Sequence, residues 1–244
     1  MVRVYIDFDG TITVKDVGDA LFERFGGAES TASIEAYRRE EISAAECFRR
    51  ECAACGTVDP GELNRFLDGQ QIDPTFPAFI AFCESSGVEA VILSDGMDYY
   101  IDRILRRHGV GSVKRFSNHL EIVPEADGSG VRFVPGFPFT DEVCTRCACC
   151  KRNHILTLSA DEDLIVYVGE GYSDRCPARF ADIVFAKDDL LNYCRRENIS
   201  YFEYTTFASV QERLRDVVAT DGRRKNVRKR HRAELARRNV YLGG

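Results

Sequence analysis

The chain has 244 residues, with 33 Lys and Arg against 39 Asp and Glu and a net charge of −6, long enough to bury a sizeable α/β interior. It contains no apolar run long enough to span a membrane, and its N-terminus enters a strand pattern at once, leaving no room for a signal peptide. Ten cysteines without an export signal point to reduced thiols in the cytoplasm and away from a disulfide framework.

The first predicted element is the strand Val2-Arg3-Val4-Tyr5-Ile6, short and alternating between β-branched and aromatic residues. It runs into Asp7-Phe8-Asp9-Gly10-Thr11-Ile12-Thr13, which places two carboxylates and a hydroxyl on one tight turn. Gly10 lets the chain turn sharply and bring backbone N–H groups near an anion. A carboxylate can attack phosphorus, and two close acids bind a hard cation through oxygen. An isolated Asp-x-Asp is more often a solvated turn, so the rest of the chain has to supply further ligands.

Residues from about 15 to 75 follow, mostly helical in pattern, with Leu21, Phe22, Phe25, Ile34 and Phe48 spaced for one apolar face. Ala90-Val91-Ile92-Leu93 is a second strand and ends in Ser94-Asp95-Gly96. Leu120-Glu121-Ile122-Val123 and Val131-Arg132-Phe133-Val134 flank Asp127-Gly128-Ser129-Gly130, a hairpin signal inside an insertion of about 112–148. Lys151 comes just before a helical stretch. Leu164-Ile165-Val166-Tyr167-Val168 is another strand, leading into Gly169-Glu170-Gly171-Tyr172-Ser173-Asp174, and a further strand falls near 183–186. Strands alternating with helices predict a doubly wound parallel α/β sheet. Ligands bind such sheets beyond the carboxyl ends of the strands, where Asp7, Ser94 and Glu170 all fall.

These pieces, in this order, resemble the haloacid dehalogenase (HAD) superfamily of phosphotransferases across most of the chain. The resemblance implies a HAD-like Rossmannoid core over 1–14 and 76–221, a helical cap over 15–75 and a smaller β-hairpin and Cys-rich insertion over 112–148. It implies Asp7 as nucleophile and Asp9 as the acid that protonates the leaving oxygen. Thr11, Ser94 with Gly96, and Lys151 would bind the phosphoryl group. Asp7, the Asp9 backbone carbonyl, Glu170 and Asp174 would hold Mg²⁺. Asp16, just beyond the nucleophile loop, would touch substrate, although a helix N-cap or first-turn acid is an equal reading. The family usually carries Asp at the position of Glu170; glutamate is one methylene longer and can still reach a cation.

In the C-terminal half, Cys149-Cys150-Lys151, the loop after 168 and Ala181-Asp182-Ile183-Val184-Phe185-Ala186-Lys187 resemble the phosphoserine phosphatase-like subgroup. That subgroup includes the methionine-salvage phosphatase acting on 2-hydroxy-3-keto-5-methylthiopentenyl-1-phosphate. The implied activity is Mg²⁺-dependent hydrolysis of a small-molecule phosphomonoester through an aspartyl-phosphate. The alternative is a weak or inactive phosphate-binding or regulatory protein, for which Glu170 and the basic tail speak.

Cys144, Cys147, Cys149 and Cys150 offer four thiolates to Zn²⁺, but adjacent cysteines strain a tetrahedral site and no second Cys-x2-Cys pair follows. The competing reading is a thiol-rich loop that positions Lys151. His108, His119, His154 and His231 share no ligand spacing. Met97, Tyr99 and Tyr100 follow Ser94 and either line the pocket or pack a helix. Residues 222–244 hold nine basic residues against Glu234, a net of +8, so the chain before them carries −14. This tail is expected to be a solvated or docked helix, in cis or in a homodimer. Neither interleaved aromatics nor a nucleic-acid-binding fold accompanies it, so no nucleic-acid partner and no membrane partner is expected.

Overall fold

The computed structural model describes residues 1–142, 144 and 146–219, so the basic tail lies outside the described residues. In chain order the elements are β1 (Val2–Ile6), α1 (Val17–Arg38), α2 (Ala44–Cys55), α3 (Pro60–Asp68), α4 (Phe76–Ser85), β2 (Glu89–Met97), α5 (Asp98–Arg107), β3 (Lys114–Pro124), β4 (Val131–Gly136), α6 (Lys151–Leu158), β5 (Leu164–Gly169), α7 (Arg175–Ala178), β6 (Ile183–Ala186), α8 (Asp188–Arg196), β7 (Phe202–Glu203) and α9 (Phe207–Ala219). A 3-10 turn, Tyr172–Asp174, precedes α7.

The strands form one sheet in the order β4-β3-β2-β1-β5-β6-β7. Every described pairing is parallel except β3 with β4. The period of two in the strands sorts side chains to opposite faces. Val4, Ile6, Ile92, Val166 and Val168 meet Phe76 of α4, Ile101 of α5 and Phe207 of α9. Tyr5, Val91, Leu93, Ile165 and Tyr167 pack on the other face with Ile155 of α6 and Phe180. Both faces are covered, so β5 is buried along its whole length. No described helix is long and apolar enough to cross a membrane.

The helices between β1 and α4 start on side-chain caps that the sequence supplies. Asp16 accepts from Asp19 N–H at 2.7 Å, Ser43 from Glu46 N–H at 3.2 Å and Asp59 from Glu62 N–H at 2.6 Å, each satisfying an otherwise unpaired first-turn donor. Helix α1 is interrupted at Gly27 (φ 59°). Two hydrogen bonds of 2.9 Å between Val58 and Val131 tie the end of this helical segment to β4.

The hairpin forms with the predicted turn, but it belongs to the main sheet. Strand β3 starts at Lys114 and pairs parallel with β2 through Val91↔Lys114, Ile92↔Arg115 and Leu93↔Phe116. It then turns antiparallel to β4 from His119↔Gly136 to Pro124↔Val131. The charged start of β3 hides this pairing, because Lys114 and Arg115 break the apolar pattern of a core strand. Strand β7 has two residues, too few for a periodic signal.

Candidate active site

The carboxyl ends of β1, β2 and β5 converge on one cavity of about 340 Å³. Asp7 continues the β1–β5 ladder, its N–H donating to the Val168 carbonyl at 2.9 Å. Lys151, at the first turn of α6, is 1% exposed. Its ammonium donates to Asp7 Oδ1 at 2.6 Å, to Asp174 Oδ1 at 2.7 Å and to Ser173 Oγ at 2.9 Å. Burial works to lower the Lys151 pKa, but Asp174 and Asp7 carry it well above the ordinary lysine value. Burial and Asp174 push the Asp7 carboxyl up while Lys151 opposes them. Lys151 therefore keeps its proton, and its charge is what opposes the upward push on Asp7.

Asp9 takes four donors. Val17 and Gly18, at the N-terminus of α1, donate N–H to Oδ1 at 3.2 and 3.3 Å. Tyr100 donates its hydroxyl to Oδ2 at 2.9 Å, and Ser94 does so at 3.4 Å. Burial, followed by the charge on Asp7, pushes Asp9 up to about 7, against the hydrogen bonds. Gly96 is needed for this arrangement. A Cβ there would collide with the Tyr100 hydroxyl and the Asp9 carboxylate, and its N–H donates to Ser94 Oγ at 2.9 Å.

Glu170 and Asp174 lie on the loop after β5. Asp174 is fully buried and has donors on both oxygens. Lys151 and Tyr167 (2.5 Å) donate to Oδ1, and the Glu170 and Gly171 N–H groups donate to Oδ2 at 2.8 and 2.9 Å. So held, Asp174 fixes the loop that carries Glu170. The Glu170 side chain lies against Gly10, where a Cβ would come within 3.0 Å of Glu170 Cδ and where φ is +65°. Burial and Asp174 push the Glu170 carboxyl up to about 8.

Among the described residues no three of Asp, Glu, His and Cys converge closely enough to enclose a metal ion by themselves. Asp7, Glu170 and the Asp9 carbonyl nevertheless offer an all-oxygen donor set at one strand mouth, with space at Gly10 for the longer glutamate, while the fourth expected ligand, Asp174, has both oxygens engaged by the four protein donors named above. Mg²⁺ is commonly held by one or two carboxylates plus water and substrate phosphate, so these residues fit it. The four-thiol zinc expectation finds no support: among the described residues these cysteines form no group that could hold a metal ion. Cys149 Sγ lies 3.7 Å from His154 Nε2, and Cys149 and Cys150 are buried. The loop is anchored instead by Asp95 Oδ1, which accepts the Ala148 and Cys149 N–H groups at 2.9 and 2.7 Å. This fixes the approach to Lys151.

The other predicted residues have mixed placements. Ser94 is fully buried and faces Asp9. Thr11 is 1% exposed, off the cavity lining, and its hydroxyl has no hydrogen-bond partner. Asp16 is the N-cap of α1, which is one of its two readings, and it also borders the cavity. The sequence reading missed Asp95, Tyr167, Ser173 and Glu51, and it left Tyr100 undecided. Glu51 is 3% exposed on α2 and lines the cavity beside Tyr37 and Phe48. The one available signal for Tyr100 was its position four residues beyond Gly96.

Residues 2–208 match the family model described as Putative Phosphatase. The chain belongs to this family and is a phosphatase. Pdp3-interacting factor 1 of Schizosaccharomyces pombe is 29% identical to it over 219 residues, covering 86% of this chain and 93% of that protein. A 2-hydroxy-3-keto-5-methylthiopentenyl-1-phosphate phosphatase of Bacillus thuringiensis is 28% identical over 220 residues, covering 89% and 97%. A solved HAD family hydrolase of Salmonella enterica superposes with a TM-score of 0.63 at 18% identity, covering 84% of this chain and 68% of that one. A phospho-aspartyl intermediate analogue of phosphoserine phosphatase gives 0.62 at 15% identity, covering 90% and 98%. The phosphatase has the HAD fold.

Proposed function

We propose that this phosphatase hydrolyses a small phosphomonoester in two steps through an aspartyl-phosphate on Asp7. The reading is carried by one juxtaposition: an Asp7 carboxylate paired with buried Lys151 at 2.6 Å beside an Asp9 carboxyl poised at about 7. Asp7 attacks phosphorus with the oxygen not bonded to Lys151. The Asp7 O–P bond forms as the ester P–O bond breaks, and the leaving oxygen takes the Asp9 proton. Water then attacks phosphorus, Asp9 recovers a proton from it, and the Asp7 O–P bond breaks to release phosphate. Asp7, Glu170 and the Asp9 carbonyl would hold Mg²⁺, which when bound offsets the negative charge shared by nucleophile and phosphoryl group. Lys151 supplies a further positive charge, and Ser94 a hydroxyl, at the same strand ends.

Residues 15–75 act as the cap that selects the leaving group. On that side of the cavity stand Asp16, Asp19 and Glu51 with the rings of Phe22, Tyr37 and Phe48. The cation there, Arg38, is paired with Asp19 at 3.4 Å. Acids beside aromatic rings suit a compact leaving group with an ammonium or hydroxyl end and disfavour a second anionic group.

The test is a phosphate-release screen with Mg²⁺ and with EDTA, beside Asp7→Asn. The panel comprises phosphoethanolamine, phosphocholine, phosphoserine, a methylthioalkyl phosphate and sugar phosphates. Release that needs both Mg²⁺ and Asp7 and favours amino-alcohol esters is the expected result. Equal rates on a sugar bisphosphate, included for its second anionic group, would contradict the leaving-group reading. Silence from folded protein would favour the second reading, a phosphate-binding protein without turnover, which the glutamate at position 170 makes the main competitor.

A further inference from the structure

Behind the wall made by Tyr172 and Ser173, which the catalytic cavity shares, lies a second cavity of about 490 Å³. Five arginines border it: Arg146, Arg152, Arg175, Arg179 and Arg196. Among the described residues, Glu40 is the one acid on its lining. The nearby carboxylates do not balance these charges. Glu40 pairs with Arg146 at 2.9 Å and Asp141 with Arg152 at 2.8 Å. Glu197 alone serves two guanidinium groups, Arg179 at 2.8 Å and Arg196 at 3.2 Å. Arg175 pairs with no carboxylate among the described residues. It lies over the rings of Tyr172 (4.4 Å) and Tyr193 (5.5 Å), and its buried Nε has no hydrogen-bond partner. Lys151, on the same wall, is already neutralised by Asp7 and Asp174.

Two guanidinium charges are thus left over in a concave site whose volume falls in the ordinary range for small-molecule pockets. A cleft of one charge sign concentrates counter-ions. Guanidinium forks match the oxygen geometry of phosphate and hold it through charge-assisted hydrogen bonds. A doubly charged phosphoryl group would neutralise the excess and give Arg175 Nε an acceptor. The catalytic cavity across the wall has the opposite character, bordered by Asp7, Asp9, Asp16, Glu51 and Glu170.

We propose that the arginine-lined cavity is a second site, separate from the phosphoryl-transfer pocket, that binds a small soluble phosphate-bearing molecule through Arg175, Arg179 and Arg196. None of these residues takes part in the chemistry assigned to Asp7 and Asp9, so the proposal stands independently of that reading. The test is calorimetric titration of inorganic pyrophosphate into the full chain in EDTA, with acetate at equal ionic strength as the blank. Saturable binding is expected, weakened about tenfold or more by Arg175→Met and by the exposed Arg196→Ala. Arg175→Lys is expected to lose less, because it keeps the charge without the fork. Melting temperatures show whether each variant is folded, and Arg179→Ala gives a second exposed position should Arg175→Met fail to fold. Occupation of the catalytic pocket instead would leave the arginine variants unchanged, while Glu170→Gln would tighten binding by removing a negative charge. That pattern, or no saturable binding to the wild-type chain, overturns the proposal.

Discussion

Asp9 is gripped from two sides, by the α1 N-terminus and by the hydroxyls of Tyr100 and Ser94. In Asp9→Asn the geometry can survive but the proton cannot be given, so turnover should fall about 10²–10⁴-fold. Steady-state kinetics should show a smaller loss on a nitrophenyl ester, whose leaving group needs no proton; equal losses on alkyl and nitrophenyl esters would remove Asp9 from the acid role. The Tyr100 hydroxyl stabilises ionised Asp9. Tyr100→Phe should therefore raise the Asp9 pKa and move the alkaline limb of the pH–rate profile upward. Gly96→Ala should be worse than either, because its methyl group meets both partners of that hydrogen bond.

Glu51 supports a separate pH prediction. Burial and Asp19 push its carboxyl up to about 8, above the unfolded value of roughly 4.3. Between those values the folded state holds a proton that the unfolded state has lost, so this group's contribution to stability falls as pH rises. Glu51→Gln removes the penalty. Its melting temperature relative to wild type should be higher at pH 9 than at pH 6, and a pH-independent difference would contradict the assignment. Asp7, Asp9, Ser94, Lys151 and Glu170 were readable in the sequence because each stands beside a recognisable strand end or helix start. Asp95 was not, since its partners Ala148 and Cys149 come from far along the chain, and Glu51 was not, since a charged residue in a helical pattern reads as part of a solvated face. Asp174 carried a metal-ligand expectation that spacing alone could not refine, because its four donors become visible only in three dimensions.

At the level of elements, α9 is held to the sheet by aromatic packing. Phe207 is fully buried, with ring centroids 4.8 Å from Phe76 and 5.1 Å from Phe79, and its N–H donates to Asp73 Oδ2 at 2.9 Å. Phe207→Ala should cost about 3–5 kcal/mol in denaturant unfolding while leaving the catalytic residues in place. The apolar runs of β1, β2, β5 and β6 made the sheet legible, and the Asp-Gly-Ser-Gly turn made the β3–β4 hairpin so. The parallel half of β3 was hidden by its charged start. Nothing in single-residue patterning revealed that β4 bonds to the helical segment through Val58. That contact joins the proposed cap to the sheet edge.

Across the whole molecule, charge is partitioned. One cavity gathers carboxylates at the strand ends, its neighbour gathers arginines, and Tyr172 and Ser173 separate them. Lys151 pairs with Asp7 and Asp174, which leaves Glu170, among the described residues, as the carboxylate without a cation partner at the proposed Mg²⁺ site. Added Mg²⁺ should therefore raise the melting temperature, by about 2.7 kcal/mol of stability at a hundredfold excess over Kd. Glu170→Gln should blunt that rise.

Rapid acid quench tests most directly whether Asp7 carries the phosphoryl group during turnover. Enzyme turning over phosphoethanolamine or the best ester from the screen is quenched in acid, digested and mapped by mass spectrometry. A phosphoryl group is expected on the peptide bearing Asp7, absent from Asp7→Asn and from enzyme in EDTA. Full turnover by Asp7→Asn, or phosphoryl transfer to any other residue, would contradict that role for Asp7.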